Sequence, residues 1–232
     1  MAFSYASMSF LTRFLRPFTS MSSAPAQPMA VPPGAQTATV AAGCFWGVEH
    51  MYRRQFKNQG LYDARVGYIG GDLKNPGYRA VCSGRTGRTS AQLFRHWEEP
   101  RPGLVHCRTM DTNVATDAEA LQVVYDPDKV SYRTLLEFFY KMHDPTTENQ
   151  QGPDRGSQYR SAIFYHNAEQ EKTAKEVTEK ANQQWWKNRV TTEILPAGEW
   201  WDAEQYHQLY LDNNPGGYEC PSHYLRNFPD LE

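Results

Sequence analysis

Between Met1 and Val48 the chain carries not one aspartate or glutamate. Its 232 residues include only four cysteines, Cys44, Cys82, Cys107 and Cys220, and no two of them form a C-x-x-C pair. That spacing gives no structural zinc site, and so few thiols in a chain of this length do not make a secreted disulfide scaffold. No apolar run reaches the 18 or more residues of a membrane-spanning helix. Lys and Arg are spread rather than clustered and the net charge is −2, which argues against a protein held on nucleic acid by neutralising phosphates. Gly67-Tyr68-Ile69-Gly70-Gly71 lacks the Gly-Lys-Ser/Thr ending of a phosphate loop and reads as a turn. Metal, nucleic acid and membrane are therefore not expected partners. A redox or nucleophilic role for one or two thiols is the more economical idea.

What is present begins with the acid-free segment. Phe10, Leu11, Phe14, Leu15 and Phe18 can share one helical face, with Arg13 and Arg16 beside it and serines interspersed. That is the composition of a mitochondrial presequence. Residues 22–36 turn rich in Ser, Ala, Pro and Gln and read as a linker, so 1–36 is expected to be presequence and linker. Met21 offers a second start that omits the basic segment. Mitochondrial and cytoplasmic forms are both expected.

With 40% hydrophobic residues, 37–232 is expected to bury one core as a single domain. A β-branched run at 37–40 precedes Gly43-Cys44-Phe45-Trp46-Gly47, after which Val48, Met51, Tyr52 and Phe56 recur at helical spacing. Cys44 thus sits where a strand turns into a helix. Free N–H groups and the macrodipole there favour an anion, so the thiol is expected to ionise with a pKa of roughly 3.5–7.5. The plainer alternative is a small buried core cysteine. Strands are expected at 62–68, 120–125, 159–165 and 191–195. Helices are expected in a short piece before Gly84, after Ser131 to His143, at 168–186 and at 203–211. Strands and helices alternate as β-α-β-β-α-β with additions, which predicts an α+β fold with helices on one mainly antiparallel sheet.

Several stretches together resemble the A-type peptide methionine sulfoxide reductases. They are Gly43-Cys44-Phe45-Trp46-Gly47, Arg65-Val66-Gly67-Tyr68, Tyr78 through Cys82-Ser83-Gly84, Val123-Val124-Tyr125-Asp126-Pro127, His143-Asp144-Pro145-Thr146-Thr147, Gln158-Tyr159-Arg160-Ser161-Ala162-Ile163 and Asn214-Pro215-Gly216-Gly217-Tyr218. The resemblance spans about residues 37–225. It implies a ferredoxin-like core and reduction of methionine S-sulfoxide, free or in proteins. A sulfoxide sulfur is a weak electrophile until its oxygen is protonated or hydrogen-bonded, so the chemistry needs a thiol, an acid and donors to the oxygen.

The resemblance makes Cys44 the nucleophile and Glu119 the acid, its pKa raised by burial. It makes Tyr78 and Tyr159 the donors to the oxygen, and Phe45 and Trp46 the wall against the methyl group. Asp154 matches an acidic residue that helps hold the substrate or the site. Taken singly, each of these residue types is more often a core or capping residue. Cys44 would emerge as a sulfenic acid, and Cys220 is the candidate to convert it to a disulfide. Its tether of nine residues from Leu211 can extend about 30 Å at most. The resemblance makes thioredoxin the external reductant, with no cofactor. Cys82 is expected to be buried in its helix and His207 to be structural. One chain suffices for the reaction, so a monomer is expected.

The sequence departs from the family between Gly87 and Ala118, where the family has a single His. Residues 88–116 show no periodicity and include His96-Trp97-Glu98-Glu99-Pro100. The codons for Arg88-Thr89-Ser90 and Thr116-Asp117 can spell the two ends of an intron, and their junction can spell His. The segment is therefore expected to be a retained intron, the alternative being a lineage-specific loop. Two other functions stay open. A thiol peroxidase would use the same thiols but would not need Phe45-Trp46 or a neutral carboxyl. A non-catalytic binder of oxidised methionine follows if the insert displaces Glu119.

Overall fold

The computed structural model describes residues 31–84 and 116–232. The basic segment at 10–18, the start at Met21, Cys107 and all of the insert except Thr116 lie outside the described residues.

Strand β1 (Gln36–Ala42) runs into helix α1 (Phe45–Phe56), and β2 (Leu61–Ile69) returns from it. A one-turn helix, α2 (Tyr78–Cys82), precedes β3 (Ala118–Tyr125), which pairs antiparallel with both β1 and β2. Helix α3 (Tyr132–Met142) follows, then a small hairpin of β4 (Gln150–Gln151) and β5 (Asp154–Arg155), then β6 (Ser161–Tyr165) beside β1. The strand order β6-β1-β3-β2 with α1 and α3 as crossovers is the ferredoxin-like arrangement expected for β-α-β-β-α-β. Helix α4 (Ala168–Gln184) leads to β7 (Glu193–Pro196), parallel to β6, and β8 (Trp200–Asp202) closes the other edge against β2.

The residue pattern explains the elements. Phe45, Val48, Tyr52 and Phe56 recur every three or four positions and all are buried, giving α1 one apolar face. Ser131 caps α3 by accepting from Thr134 N at 3.0 Å, and Asn167 caps α4 through Gln170 N at 2.9 Å. In β3 the alternation places Leu121, Val123 and Tyr125 in the main core with the helices, and Ala118 and Ala120 on the opposite face. Glu119 shares the parity of Leu121. Its side chain therefore lies on the helix-bearing face, at the end of the strand nearest the start of α1.

Several expectations needed correction. The strand expected from 159 begins at Ser161, because Gly156 at φ +133° starts a 3₁₀ turn at Ser157–Tyr159. The helix expected at 203–211 is broken into a 3₁₀ turn, Gln205–His207, and the short α5 (Tyr210–Asn213). Side-chain bonds from across the fold and a left-handed residue override helical propensity there. Gln208 bonds Val66 on both its N–H and its C=O, Glu49 accepts from Leu209 N at 2.8 Å, and Leu209 turns left-handed at φ +52°. Strand β8 was not expected: its three residues are too short for a periodic signal. Cys82 is exposed rather than buried, because Val81 supplies the buried side of α2 and its neighbour faces outward.

Candidate active site

The turn from β1 to α1 fixes the thiol. Gly43 has φ +89°, and a Cβ on it would lie 2.5 Å from the Gln151 side chain, so only glycine fits. Cys44 follows as the residue preceding the first turn of α1 and is 6% exposed. It lines a cavity of about 180 Å³ with Phe45, Trp46, Tyr78, Glu119, Asp154, Tyr159 and Tyr218. Seven of the eight residues singled out in the sequence thus meet in one cavity. Cys220 is the exception. It is a free thiol, 1% exposed, bonded through Sγ to Gln151 O at 3.4 Å and near enough that charge on it raises the pKa of Cys44.

Glu119 is 1% exposed, and its Oε2 accepts from Phe45 N at 3.3 Å. Its Oε1 is buried with no partner. Burial first, with the nearby Asp154 charge adding to it, pushes its carboxyl up to about 8, against a weaker opposing effect of Phe45 N–H. Glu119 therefore carries a proton at neutral pH. Burial also pushes the Cys44 thiol up, and a charge on Glu119 would push it further, while Trp46 N–H pulls it down. This overturns the expectation of a low thiol pKa. The helix N-terminus is present, but desolvation of a closed cavity outweighs it, and the ligand-free site holds a neutral thiol beside a neutral acid.

The phenols stay protonated. Burial pushes both Tyr78 and Tyr159 up, and their hydroxyls interact with each other. Tyr78 opens α2, whose preceding residue, Gly77, has no side chain to cap the helix. Glu204 supplies the missing acceptor from 126 positions away, taking Tyr78 N at 3.0 Å on Oε1 and Tyr68 Oη at 2.9 Å on Oε2. Trp46 Nε1 donates to His207 Nδ1 at 3.0 Å, and its ring stacks on Tyr210 at 3.7 Å. His207 also packs on Phe45 and Tyr78, with centroids at 5.1 and 4.8 Å, so the residue taken as structural sits behind both walls of the cavity. Tyr218 Oη donates to Asp154 Oδ1 at 2.8 Å, leaving Oδ2 buried and unpartnered.

Sequence reasoning missed Tyr218, Glu204, Gln151 and His223. The only signals were indirect: the second glycine of Gly43-Cys44-Phe45-Trp46-Gly47 and the aromatic ending of Asn214-Pro215-Gly216-Gly217-Tyr218. Among the described residues no group of three or more His, Cys, Asp or Glu could hold a metal ion. Glu119 stays in the cavity with Cys44, which removes the premise of the non-catalytic reading.

Two carboxyl groups, each with one unpartnered oxygen, a thiol and three phenols line one small space walled by Phe45 and Trp46. Such a site defines a thiol oxidoreductase built for a substrate with a polar oxygen next to an apolar group. Comparison with known proteins narrows the class. The family profile described as peptide methionine sulfoxide reductase matches residues 36–92 and 106–228. A protein of Schizosaccharomyces pombe named probable peptide methionine sulfoxide reductase is 45% identical over 193 residues, covering 82% of this chain and 96% of the relative. The crystal structure of Mxr1 from Saccharomyces cerevisiae in reduced form superposes with a TM-score of 0.68 at 39% identity, covering 84% of this chain and 94% of that one. Mxr1 in complex with Trx2 gives 0.53 at 28% identity, covering 87% and 97%. The chain belongs to the peptide methionine sulfoxide reductase family.

Proposed function

We propose that Cys44, Glu119, Tyr78 and Tyr159 together carry out sulfoxide reduction in this chain, and that Cys220 and a thioredoxin complete the cycle. The observation that carries this reading is Glu119: a carboxyl held neutral up to about pH 8, with one oxygen unpartnered, in the same cavity as the thiol and the phenols. Phe45 and Trp46 take the methyl group, and Asp154, held by Tyr218 and beside Cys220, helps hold the substrate or the site. Tyr78 and Tyr159 donate to the sulfoxide oxygen. Cys44 Sγ attacks the sulfoxide sulfur to form an S–S bond; that bond and the substrate S–O bond then break as the oxygen bonds to Cys44 Sγ, so the substrate sulfur gains two electrons and leaves as methionine and Cys44 is left as a sulfenic acid. Glu119 protonates the oxygen as its bond to the substrate breaks and recovers the proton that leaves the thiol. Cys220 then displaces water to form the Cys44–Cys220 disulfide, and an external dithiol reduces it. The complex of Mxr1 with Trx2 supports thioredoxin as that donor. Oxidised proteins and free methionine sulfoxide are the proposed substrates. A monomer suffices, since all eight lining residues come from one chain.

The test is reduction of a methionine S-sulfoxide by wild type, Cys44→Ser and Cys220→Ser. Cys44→Ser should make no methionine, and Cys220→Ser should make one per chain and stop when thioredoxin is the reductant. Multiple turnovers of Cys220→Ser with thioredoxin would overturn the assignment.

Two further readings go with it. Residues 1–36 are a mitochondrial presequence and linker, and initiation at Met21 omits the basic segment, a reading supported by their acid-free composition. A single compartment and a single chain length on fractionation would refute it. Residues 88–116 are a retained intron, supported by the family profile passing over 93–105. A peptide from 95–110 in the purified protein would refute that.

A further inference from the structure

The C-terminal turn is fastened to the nucleophile turn by a residue that none of the steps above uses. His223 is buried, and its Nε2 lies 2.6 Å from Ala42 O, two residues before Cys44. A carbonyl oxygen only accepts, so Nε2 carries the hydrogen. Burial holds the ring neutral, which leaves Nδ1 a bare acceptor. That Nδ1 is buried without a partner and rests against Gly47, where a Cβ would overlap it. The second glycine of the motif is therefore the seat of an imidazole from the far end of the chain. Nothing in α1 itself requires glycine there, and Ala would favour the helix.

The backbone of the same residue is tied to Cys220. His223 N donates to Cys220 O at 2.9 Å, closing a turn through Pro221 and Ser222. Ser222 Oγ donates to Gln151 Oε1 at 2.7 Å, and Gln151 is the side chain against which Gly43 packs. Downstream, Tyr224 N and Arg226 N bond the backbone of Met142 and Lys141. Upstream, Tyr218 is held by Asp154. Cys220 thus lies on a short arc between fixed points, with its thiol bonded to Gln151 O, on the residue whose side chain packs against Gly43.

We propose that His223 is a positioning residue for the resolving step: seated on Gly47 and bonded to Ala42, it holds the turn that presents Cys220 to Cys44. In that step the Cys220 sulfur bonds to the sulfur of the Cys44 sulfenic acid, the S–O bond breaks, and the hydroxyl leaves with the Cys220 proton as water. His223 takes no part in the proton or electron transfer. The inference rests on the reading of Cys220 as the resolving thiol.

The test separates the two half-reactions. Reduced enzyme is mixed with methionine S-sulfoxide without reductant, methionine is counted, and quenched samples are scored by mass for dimedone-trapped sulfenic acid against disulfide. His223→Ala should form methionine at the wild-type rate while disulfide formation slows at least about tenfold and the trapped sulfenic acid accumulates. His223→Gln, whose Nε2 can occupy the place of the ring Nε2 and donate to Ala42 O, should recover to within about threefold of wild type. Gly47→Ala, which keeps His223 but unseats it, should slow the disulfide like His223→Ala, and it carries the test if His223→Ala does not fold. Wild-type disulfide formation in His223→Ala or Gly47→Ala overturns the inference, as does a His223→Gln no better than His223→Ala. Cys220→Ser is the control for the underlying reading: an intramolecular disulfide in that variant would sink the role of Cys220 whatever His223 does.

Discussion

Replacing the acid should stabilise the protein at pH 8 and above while it stops working. Glu119 has an ordinary carboxyl value near 4.5 when unfolded and about 8 when folded, with burial the main cause. Below pH 4.5 both states bind the proton and the residue is neutral in both. Between 4.5 and 8 the unfolded chain has lost the proton and the folded one keeps it, so folded stability declines as pH rises. The slope is about 1.4 kcal/mol per pH unit, which accumulates to about 3 kcal/mol at pH 7 and about 5 at pH 8 and above. Glu119→Gln keeps the size and the acceptor for Phe45 N but has nothing to ionise. It leaves an amide N–H unpaired, a constant cost of about 1–3 kcal/mol. The stability of Glu119→Gln minus that of wild type should therefore climb by about 1.4 kcal/mol per unit from pH 4.5 to 8 and be flat outside that window. Urea unfolding of both proteins under reducing conditions at pH 4, 5, 6, 7 and 8 measures it. In melting temperature the change is about 2–4 °C per kcal/mol for a chain of this size. Methionine formation in the same variant should fall by about 100-fold or more. Parallel stability curves across the pH range would refute the claim that Glu119 is a buried neutral acid.

Three other perturbations test the positioning of the site. Gly43→Ala should lose about 3 kcal/mol in chemical denaturation, because the left-handed backbone and the Gln151 side chain both oppose a Cβ. Glu204→Gln should lose about 1 kcal/mol as the external cap of α2 weakens. Its methionine formation should slow about tenfold while disulfide formation in stopped-flow stays unchanged, and equal slowing of both would contradict a role confined to Tyr78. A chain with Gly87 joined to Ala118 through a single histidine should be the faster enzyme in the same sulfoxide assay, since an error of about 1 Å in placing Glu119 costs on the order of 100-fold. Equal rates would show that segment 88–116 is tolerated.

Much of the frame was legible because it rests on local rules. The caps at Ser131 and Asn167, the apolar face of α1 and the alternation in β3 are all visible within a dozen residues. The nucleophile turn was legible for the same reason, since Gly43 and the start of α1 are neighbours of Cys44. What could not be read depends on partners more than 100 positions away. The cap on Tyr78 comes from Glu204, the acceptor for Trp46 is His207, and the occupant of the space over Gly47 is His223. The thiol pKa failed for a related reason: the local dipole is a property of α1, whereas the thiol is raised by burial and, after it, by the charges of Glu119, Asp154 and Cys220 brought in from distant parts of the chain. The break in the expected helix at 203–211 likewise follows from Glu49 and Gln208 acting across the fold.

The two edges of the sheet are short. Strand β7 has four residues and ends in Pro196, and β8 has three, with Glu193 and Asp202 placing a carboxylate on each. An edge of that length, interrupted by a proline or a charge, offers few free backbone groups for another chain to pair with. If, as proposed, oxidised proteins are among its substrates, the chain must approach other polypeptides closely. Blunted edges leave the Cys44 cavity as the place of contact and disfavour strand pairing along the sheet.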